Sequence, residues 1–242
     1  MPVSLSAARH EPAARARFAA LGSFSRTDSE APVTLNDYLR AIHGCSSRQH
    51  YRRGETIFSE GEPADRVCKV ISGTIRLCRY SPDGRRHVVD FVNAGDLIGF
   101  LECADQPWTA EAVTDVTLVS YPRASVDRLA ASNAAIRTRI ACHLSAGLLE
   151  AQHRLFVLGC QCAKERVASF LVRQGDRVDL MAGEALDLPM SRQDIADHLG
   201  LTIETVCRAL SALRSGGLIA IPNSHELILK DMGALRAMAI ES

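Results

Sequence analysis

Between Gly54 and Gly99 the apolar positions fall in short runs that glycine interrupts at close intervals. Thr56–Phe58, Val67–Ile71, Thr74–Arg79 and His87–Phe91 have the alternation and β-branched content of strands. Gly54, Gly61, Gly73, Gly84, Gly95 and Gly99 stand between them, where tight turns need positive φ. All four residues of Ser81-Pro82-Asp83-Gly84 favour a turn, which predicts a hairpin. Glu111–Val113 and Val116–Tyr121 continue the series. Short strands at this spacing predict a β-sandwich or barrel of about 80 residues rather than βαβ units.

The pattern then changes period. From Ser125 to Cys160 there is no proline, and glycine occurs only at Gly147 and Gly159. Ile136, Ile140, Leu144, Leu148, Ala151, Leu155 and Leu158 advance by three or four, as on one face of a helix. The expectation is a single helix spanning roughly 45–50 Å at ~1.5 Å per residue. A seam of that length favours a copy of the chain as partner in a two-fold dimer. Ile136, Ile140, Leu144, Leu148 and Leu155 are the expected interface residues.

Residues 191–216 read as two helices joined by a tight turn. Ser191 is an N-cap with Asp194 at the capping-box position, and Arg192–Leu199 buries Ile195, Ala196 and Leu199. Gly200 suits the left-handed turn, Thr202 caps a second helix to about Ser215, and Gly216-Gly217 end it. A small residue at Ala196, the turn at Gly200 and a branched residue at Val206 are spaced as in a helix-turn-helix. Leu218–Ile221, Pro222-Asn223-Ser224 and Leu227–Lys230 then read as a β-hairpin wing. On the second helix Ile203, Val206 and Leu210 are expected to face inward. Thr202, Thr205 and Arg208 fall opposite, with Glu204 and Cys207 beside them.

The chemistry of that outer face suits duplex DNA. An arginine fork matches guanine O6 and N7, and a carboxylate accepts from cytosine N4, which nominates Arg208, Glu204 and Thr205 for base contacts. Ser191, Arg192, Gln193 and Thr202 lie at helix N-termini, which suit phosphate. The alternative is that Glu204 and Arg208, at i and i+4, only pair with each other on a solvated face.

Charge does not help this reading. Across 242 residues, 28 Lys+Arg balance 28 Asp+Glu. From residue 160 onward nine Lys and Arg face eleven Asp and Glu, a net of −2. DNA recognition must then rest on a few well-placed cations, with a shallow salt dependence. A composition 47% hydrophobic and 23% charged excludes a wholly disordered chain, and no apolar run approaches a membrane span. Met1–Arg26 lacks the apolar core of a secretory signal. Residues 1–30, rich in Ala, Ser and Arg, resemble a transit peptide in composition but are expected to form a mobile tail. The eight cysteines form no C-x-x-C pair, consistent with a reducing cytoplasm and mostly buried thiols.

Three separated blocks carry a family resemblance: Gly54–Glu62, Val70–Ile75 and Gly95-Asp96-Leu97-Ile98-Gly99. Together they resemble the cyclic-nucleotide-binding β-roll of the CRP/FNR superfamily. Glu204-Thr205-Val206-Cys207-Arg208 is similar to the Glu-x-x-Ser-Arg recognition motif of its FNR and FixK branch, with Cys207 in the serine's place as in FixK-type regulators. The resemblance covers about residues 35–235. It implies an α+β chain: a mobile tail (1–30), a β-roll sensor-type domain (31–124), a dimerisation helix (125–160) and a C-terminal winged helix-turn-helix domain (161–242).

The resemblance further implies a homodimeric regulator, an activator of low-oxygen respiration or nitrogen-fixation genes, on a palindrome with TTGA-type half-sites. RNA polymerase would be a partner, with the Ser81–Arg86 loop a candidate contact. Cyclic AMP is not expected. Phe100 stands where the family places a ribose-binding Glu, and Trp108 near its phosphate-binding Arg, leaving a buried phosphate without a cation. No iron–sulfur cluster is expected either, since no cysteine precedes Cys45 and Ser120 occupies the region of the β-roll ligand. No metal or other cofactor is assigned.

Cys207 is a redox candidate. Arg208 beside it would favour the thiolate, and oxidation to an acid would set an anion against DNA phosphate. A competing expectation is a sensor of the same fold that binds haem or another small molecule through His87, Cys103 or Cys78. No nucleophile–base pair or phosphate loop suggests an enzyme, and no catalytic residue is nominated.

Overall fold

The computed structural model describes residues 35–240 apart from 41, 42, 102 and 182. The expected tail over residues 1–30 lies outside the described residues. After helix α1 (Leu35–Arg40), eight strands form the β-roll: β1 (Ser47–Tyr51), β2 (Thr56–Phe58), β3 (Arg66–Ser72), β4 (Ile75–Tyr80), β5 (Arg86–Val92), β6 (Leu97–Ile98), β7 (Thr109–Ala112) and β8 (Val116–Pro122). They make two four-stranded antiparallel sheets, ordered β1-β8-β3-β6 and β2-β7-β4-β5. Val70, Ile75, Ala110 and Leu118 are fully buried and belong to the same apolar cluster. Gly73 shows why a glycine is required between β3 and β4: at φ +88°, a Cβ there would stand 2.2 Å from the Asp115 carbonyl oxygen. The predicted hairpin joins β4 to β5, with Tyr80 opposite Arg86 and the Gly84 N–H donating to the Ser81 carbonyl at 2.8 Å.

The expected single helix over 125–160 is two helices. α2 (Arg123–Ser132) stops at Asn133, whose extended backbone (φ −136°, ψ 110°) breaks the ladder. The Asn133 side chain accepts from the Ala135 and Ile136 N–H groups and so caps α3 (Ala134–Cys160). At 27 residues α3 is about 40 Å long, and the loss is entirely at its N-terminal end. There, too, the seam turns inward. Ile136 is 1% exposed within its own chain and Ile140 packs on the cluster of Leu39, Phe100 and Tyr121, so Ile136 is core rather than interface.

The C-terminal part comprises α4 (Ala163–Arg177), β9 (Ala185–Asp187), α5 (Arg192–Leu199), α6 (Ile203–Ser215), β10 (Ile219–Ala220), β11 (Glu226–Leu229) and α7 (Met232–Ile240). The wing has a third strand, in the order β10-β11-β9. Its core is not separate from the roll. Cys78, Val88, Phe91 and Val113 belong to the same buried cluster as Phe170, Ile195, Val206 and Leu213. Among the described residues no helix is long and apolar enough to cross a membrane.

Candidate nucleic-acid interface

Local sequence builds the helix-turn-helix. At the start of α5 the Ser191 hydroxyl accepts from the Asp194 N–H at 3.1 Å, and the Ser191 N–H donates to the Asp194 carboxylate at 3.0 Å. Gly200 ends α5 in the left-handed conformation (φ 62°, ψ 39°). Thr202 caps α6 through its hydroxyl, which accepts from the Thr205 N–H at 3.3 Å. Val206, Ala209, Leu210 and Leu213 are the buried face of α6. Ile203, expected there, is 37% exposed; as the first helical residue it precedes the turn that meets α5, and Ala209 completes the inner face instead.

The opposite face of α6 is solvent-facing, with Glu204, Cys207 and Arg208 all exposed. Among the described residues no ion pair joins Glu204 to Arg208. The Arg208 guanidinium instead donates to the Thr205 hydroxyl at 3.2 Å, which in turn lies 3.1 Å from the Thr202 hydroxyl. Thr205 is therefore half-buried as a brace for the arginine fork. The Glu204 carboxyl is held below the usual carboxylate range by its own backbone amide and the Thr202 hydroxyl. One helix ridge thus presents an ionised acceptor and an arginine fork that only a hydroxyl engages among the described residues.

The expected phosphate contacts divide. Gln193 and Thr202 are exposed, although Gln193 Nε2 also donates to Asp197 at 2.6 Å. Ser191 is exposed, but its hydroxyl is engaged by Asp194 at 2.7 Å. Arg192 is half-buried beside Cys207. Burial lowers its basicity, the cysteine partly offsets this, and its Nη1 is buried without a hydrogen-bond partner among the described residues.

Sequence reasoning missed the way α5 is held. Asp194 and Asp197 take the arginines of the roll: Arg76 reaches Asp194 at 3.0 Å, and Arg86 reaches Asp194 at 2.6 Å and Asp197 at 2.7 Å. His198 is 1% exposed, with Nδ1 3.0 Å from the Val88 carbonyl and Nε2 accepting from Arg173 at 2.6 Å. Burial, with Arg173 and Arg154 nearby, pushes its pKa down to about 3. The ring is neutral, with its proton on Nδ1 toward the carbonyl. Only the i to i+3 capping spacing of Asp194 was visible in sequence; its partners lie more than 100 residues away.

The suggested sensor ligands are not gathered together. Cys78 is in the shared core, where burial and the nearby Glu111 carboxylate raise its thiol to about 11. His87 lies on β5 of the hairpin, and Cys103 is exposed beyond β6. The thiols are not mostly buried as expected: Cys68 and Cys78 are, on strands of the roll, while the other six are exposed on helices and loops. Among the described residues no three His, Cys, Asp or Glu side chains converge as metal ligands.

Comparison with known proteins agrees with this arrangement. The cyclic nucleotide-binding domain family matches residues 48–133 and the Crp-like helix-turn-helix domain family residues 165–238. The nitrogen fixation regulation protein FixK of Rhizobium meliloti (strain 1021) is 39% identical over 188 residues, covering 78% of this chain and 85% of that protein. The chain belongs to the CRP/FNR family, in its FixK-like branch. FixK of Bradyrhizobium diazoefficiens is 37% identical over 203 residues, 83% of this chain and 85% of that protein. The solved structure of FixK2 from Bradyrhizobium japonicum superposes with a TM-score of 0.76 at 33% identity, covering 80% of this FixK-like chain and 96% of that one. The chain is therefore a transcription regulator with a helix-turn-helix DNA-binding domain, of which α6 is the second helix.

Proposed function

We propose that this FixK-like chain acts in the cytoplasm as a homodimeric activator on palindromic sites with TTGA-type half-sites one helical turn apart. Glu204 and Arg208 read bases, and Thr205 positions Arg208. Ser191, Arg192, Gln193 and Thr202 lie along the phosphates. The observation that carries the reading is the ridge of α6, where an ionised Glu204 and the Arg208 fork stand exposed with no ion pair closing between them among the described residues.

Two subunits meet along α3. Leu144, Leu148, Leu149, Leu155 and Phe156 are exposed there, while the charged residues Glu150 and Arg154 are drawn to their own chain by Arg173 and Asp90. The result is a broad uncharged face that a second copy covers, as a palindrome requires.

The regulator works without cyclic AMP. Phe100 packs 5.3 Å from the His143 ring, and Arg123 spends its guanidinium on the Gly99 and Leu101 carbonyls. Among the described residues, that leaves neither a ribose carboxylate nor a free arginine beside the Gly99 turn. Relatives named for nitrogen fixation regulation, and one of Cereibacter sphaeroides named as the transcriptional activator FnrL, support a role as an activator of nitrogen-fixation genes; low-oxygen control and contact with RNA polymerase are read from the family resemblance. Oxidation of the exposed Cys207 switches binding off. The protein performs no catalysis and needs no cofactor.

Footprinting of the purified protein on genomic fragments, with no effector added, tests this. The expected result is protection of a two-fold site with TTGA half-sites. Protection that requires added cyclic nucleotide, or none under any condition, overturns the reading.

A further inference from the structure

The helix-turn-helix region is poor in usable charge. Of its nine cations, Arg166 is spent on backbone carbonyls, Arg173 on Glu150 and His198, Arg177 on the Phe91 carbonyl, and Arg236 on Asp176. With a net of −2 over residues 160–242, this region by itself attracts a polyanion weakly. The deficit invites a cation source elsewhere in the chain, and the structure places one next to the recognition helix.

A cleft of about 1110 Å³ is lined by the β4–β5 hairpin and the helix-turn-helix, beside the point where Arg86 joins them. The hairpin wall includes Arg79, Arg85, Arg86 and His87, and the opposite wall includes Gln193 and Thr202. Among the described residues, the one acidic side chain on the lining is Asp197, and Arg86 already pairs with it at 2.7 Å. Arg79 and Arg85 are therefore the cations left facing the cleft. Their ion pairs, with Glu60 at 2.9 Å and Asp83 at 2.7 Å, are solvent-exposed, and such pairs hold an arginine only weakly. The cleft also opens on Gln193 and Thr202, which the reading above sets along the phosphates at the N-terminal ends of α5 and α6.

We propose that the β4–β5 hairpin is a second DNA contact: Arg79 and Arg85 grip backbone phosphates flanking the half-site that α6 reads. This rests on the DNA-binding reading above and extends it from the winged helix to the β-roll. The hairpin arginines exchange exposed carboxylate partners for phosphate, and the contact carries no sequence information.

The experiment uses the full chain and two duplexes carrying the footprinted palindrome, one ending at the half-sites and one extended by about ten base pairs on each side. Arg79→Ala and Arg85→Ala are combined; their side chains are 63% and 84% exposed, and an unchanged melting temperature verifies the fold. On the extended duplex the double variant is expected to bind about tenfold more weakly at low salt. Its plot of log affinity against log salt should be shallower by about one unit per phosphate lost. On the short duplex it should match the parent, and randomising the flanking sequence should change nothing. Equal loss on both duplexes, or no loss on either, overturns the proposal. Unchanged DNA binding with failed activation of purified RNA polymerase also overturns it and assigns the hairpin to the polymerase. If the parent binds neither duplex, the underlying DNA reading itself fails.

Discussion

Arg86 donates to Asp194 at 2.6 Å across 108 residues of sequence, joining the β4–β5 hairpin to the N-terminus of α5. Asp194 is 4% exposed at its side chain and serves twice, as capping-box partner of Ser191 and as acceptor for Arg76 and Arg86. The cap that aims the helix-turn-helix is thus the point at which the β-roll holds it. Arg86→Ala leaves Asp194 with Arg76 alone and leaves Asp197 without the cation that neutralised it. Removing one member of a buried pair is strongly destabilising; with Arg76 retained, we expect a loss of about 2 kcal/mol. Denaturant unfolding of the parent and the variant measures it, and operator affinity should fall as α5 loses its seat. An unchanged midpoint would show that Arg76 suffices.

His198 gives that junction a pH dependence of known sign. Its folded pKa is near 3 against 6.5 unfolded, because burial and the neighbouring Arg173 and Arg154 disfavour the charged ring. Below pH 6.5 the unfolded chain binds a proton that the folded chain refuses, so stability falls with pH by about 1.4 kcal/mol per unit down to about pH 3. Burial acts to raise the pKa of Asp194, but the Ser191 hydrogen bonds with Arg76 and Arg86 outweigh it. Its lowered pKa keeps its contribution intact above about pH 4 and removes it only below. The window from pH 6.5 to 4.5 therefore excludes Asp194 but not His143, whose pKa burial also lowers, so the comparison of parent with variant is what isolates His198. His198→Gln should be less stable than the parent at pH 7.5, with the gap closing as pH falls to 4.5. A constant gap would place the titration elsewhere.

Base reading by Arg208 is a separate prediction. Arg208→Ala should cost about 1–3 kcal/mol at the guanine it contacts and relax discrimination at that position alone. Arg208→Lys keeps the charge but loses the fork, so it should retain salt dependence while losing specificity. Competition binding against operators altered one base pair at a time distinguishes the two.

Much of this fold was legible because it is written locally. The glycines between strands, the Ser81–Gly84 turn and the Ser191, Gly200 and Thr202 signals each act within a few residues, and each element stands where those signals put it. What escaped depends on tertiary context. Asn133 interrupts a run without proline or glycine because its side chain caps the next helix, a choice that periodicity does not display. Ile136 continues the periodic stripe of α3 yet is buried, because that end of the helix lies on its own β-roll. The amphipathic α4 follows Cys162, a weak capping residue, and its cap is completed from the other side, where the Cys162 N–H donates to Glu165 at 2.7 Å. The seat of α5 on β5 required partners from distant strands. Glu204 and Arg208 were visible as a pair on one face, but whether they neutralise each other depends on Thr205, which takes the guanidinium.

Leu148 and Leu155 test the dimer. They are 60% and 70% exposed on α3, so a charge at either position costs the isolated subunit little. In a dimer the same charge is buried against its symmetry mate without a partner. Leu148→Glu and Leu155→Glu should shift sedimentation from dimer to monomer, with melting of the subunit itself little changed, and should weaken binding to the full palindrome far more than to a single half-site. A variant that remains dimeric would exclude this face as the interface.

Cys207 supplies the last test, and the structure sharpens what it should show. The thiol is exposed on the ridge between Glu204 and Arg208, and Arg192 lies near it with Nη1 unpartnered. Oxidation by peroxide first gives the sulfenic acid and then, with further peroxide, the sulfinic acid, a permanent anion. A sulfinate here repels phosphate and offers Arg192 and Arg208 an acceptor that competes with DNA. Loss of operator binding should therefore track oxidation of this one thiol, among eight cysteines in the chain. Cys207→Ser should bind the operator as the reduced parent does and keep binding after peroxide, with mass spectrometry reporting which thiols were modified. If the serine variant loses affinity in step with the parent, the sensitive residue is another, and the exposed Cys45, Cys103, Cys142, Cys160 and Cys162 are the ones to replace next.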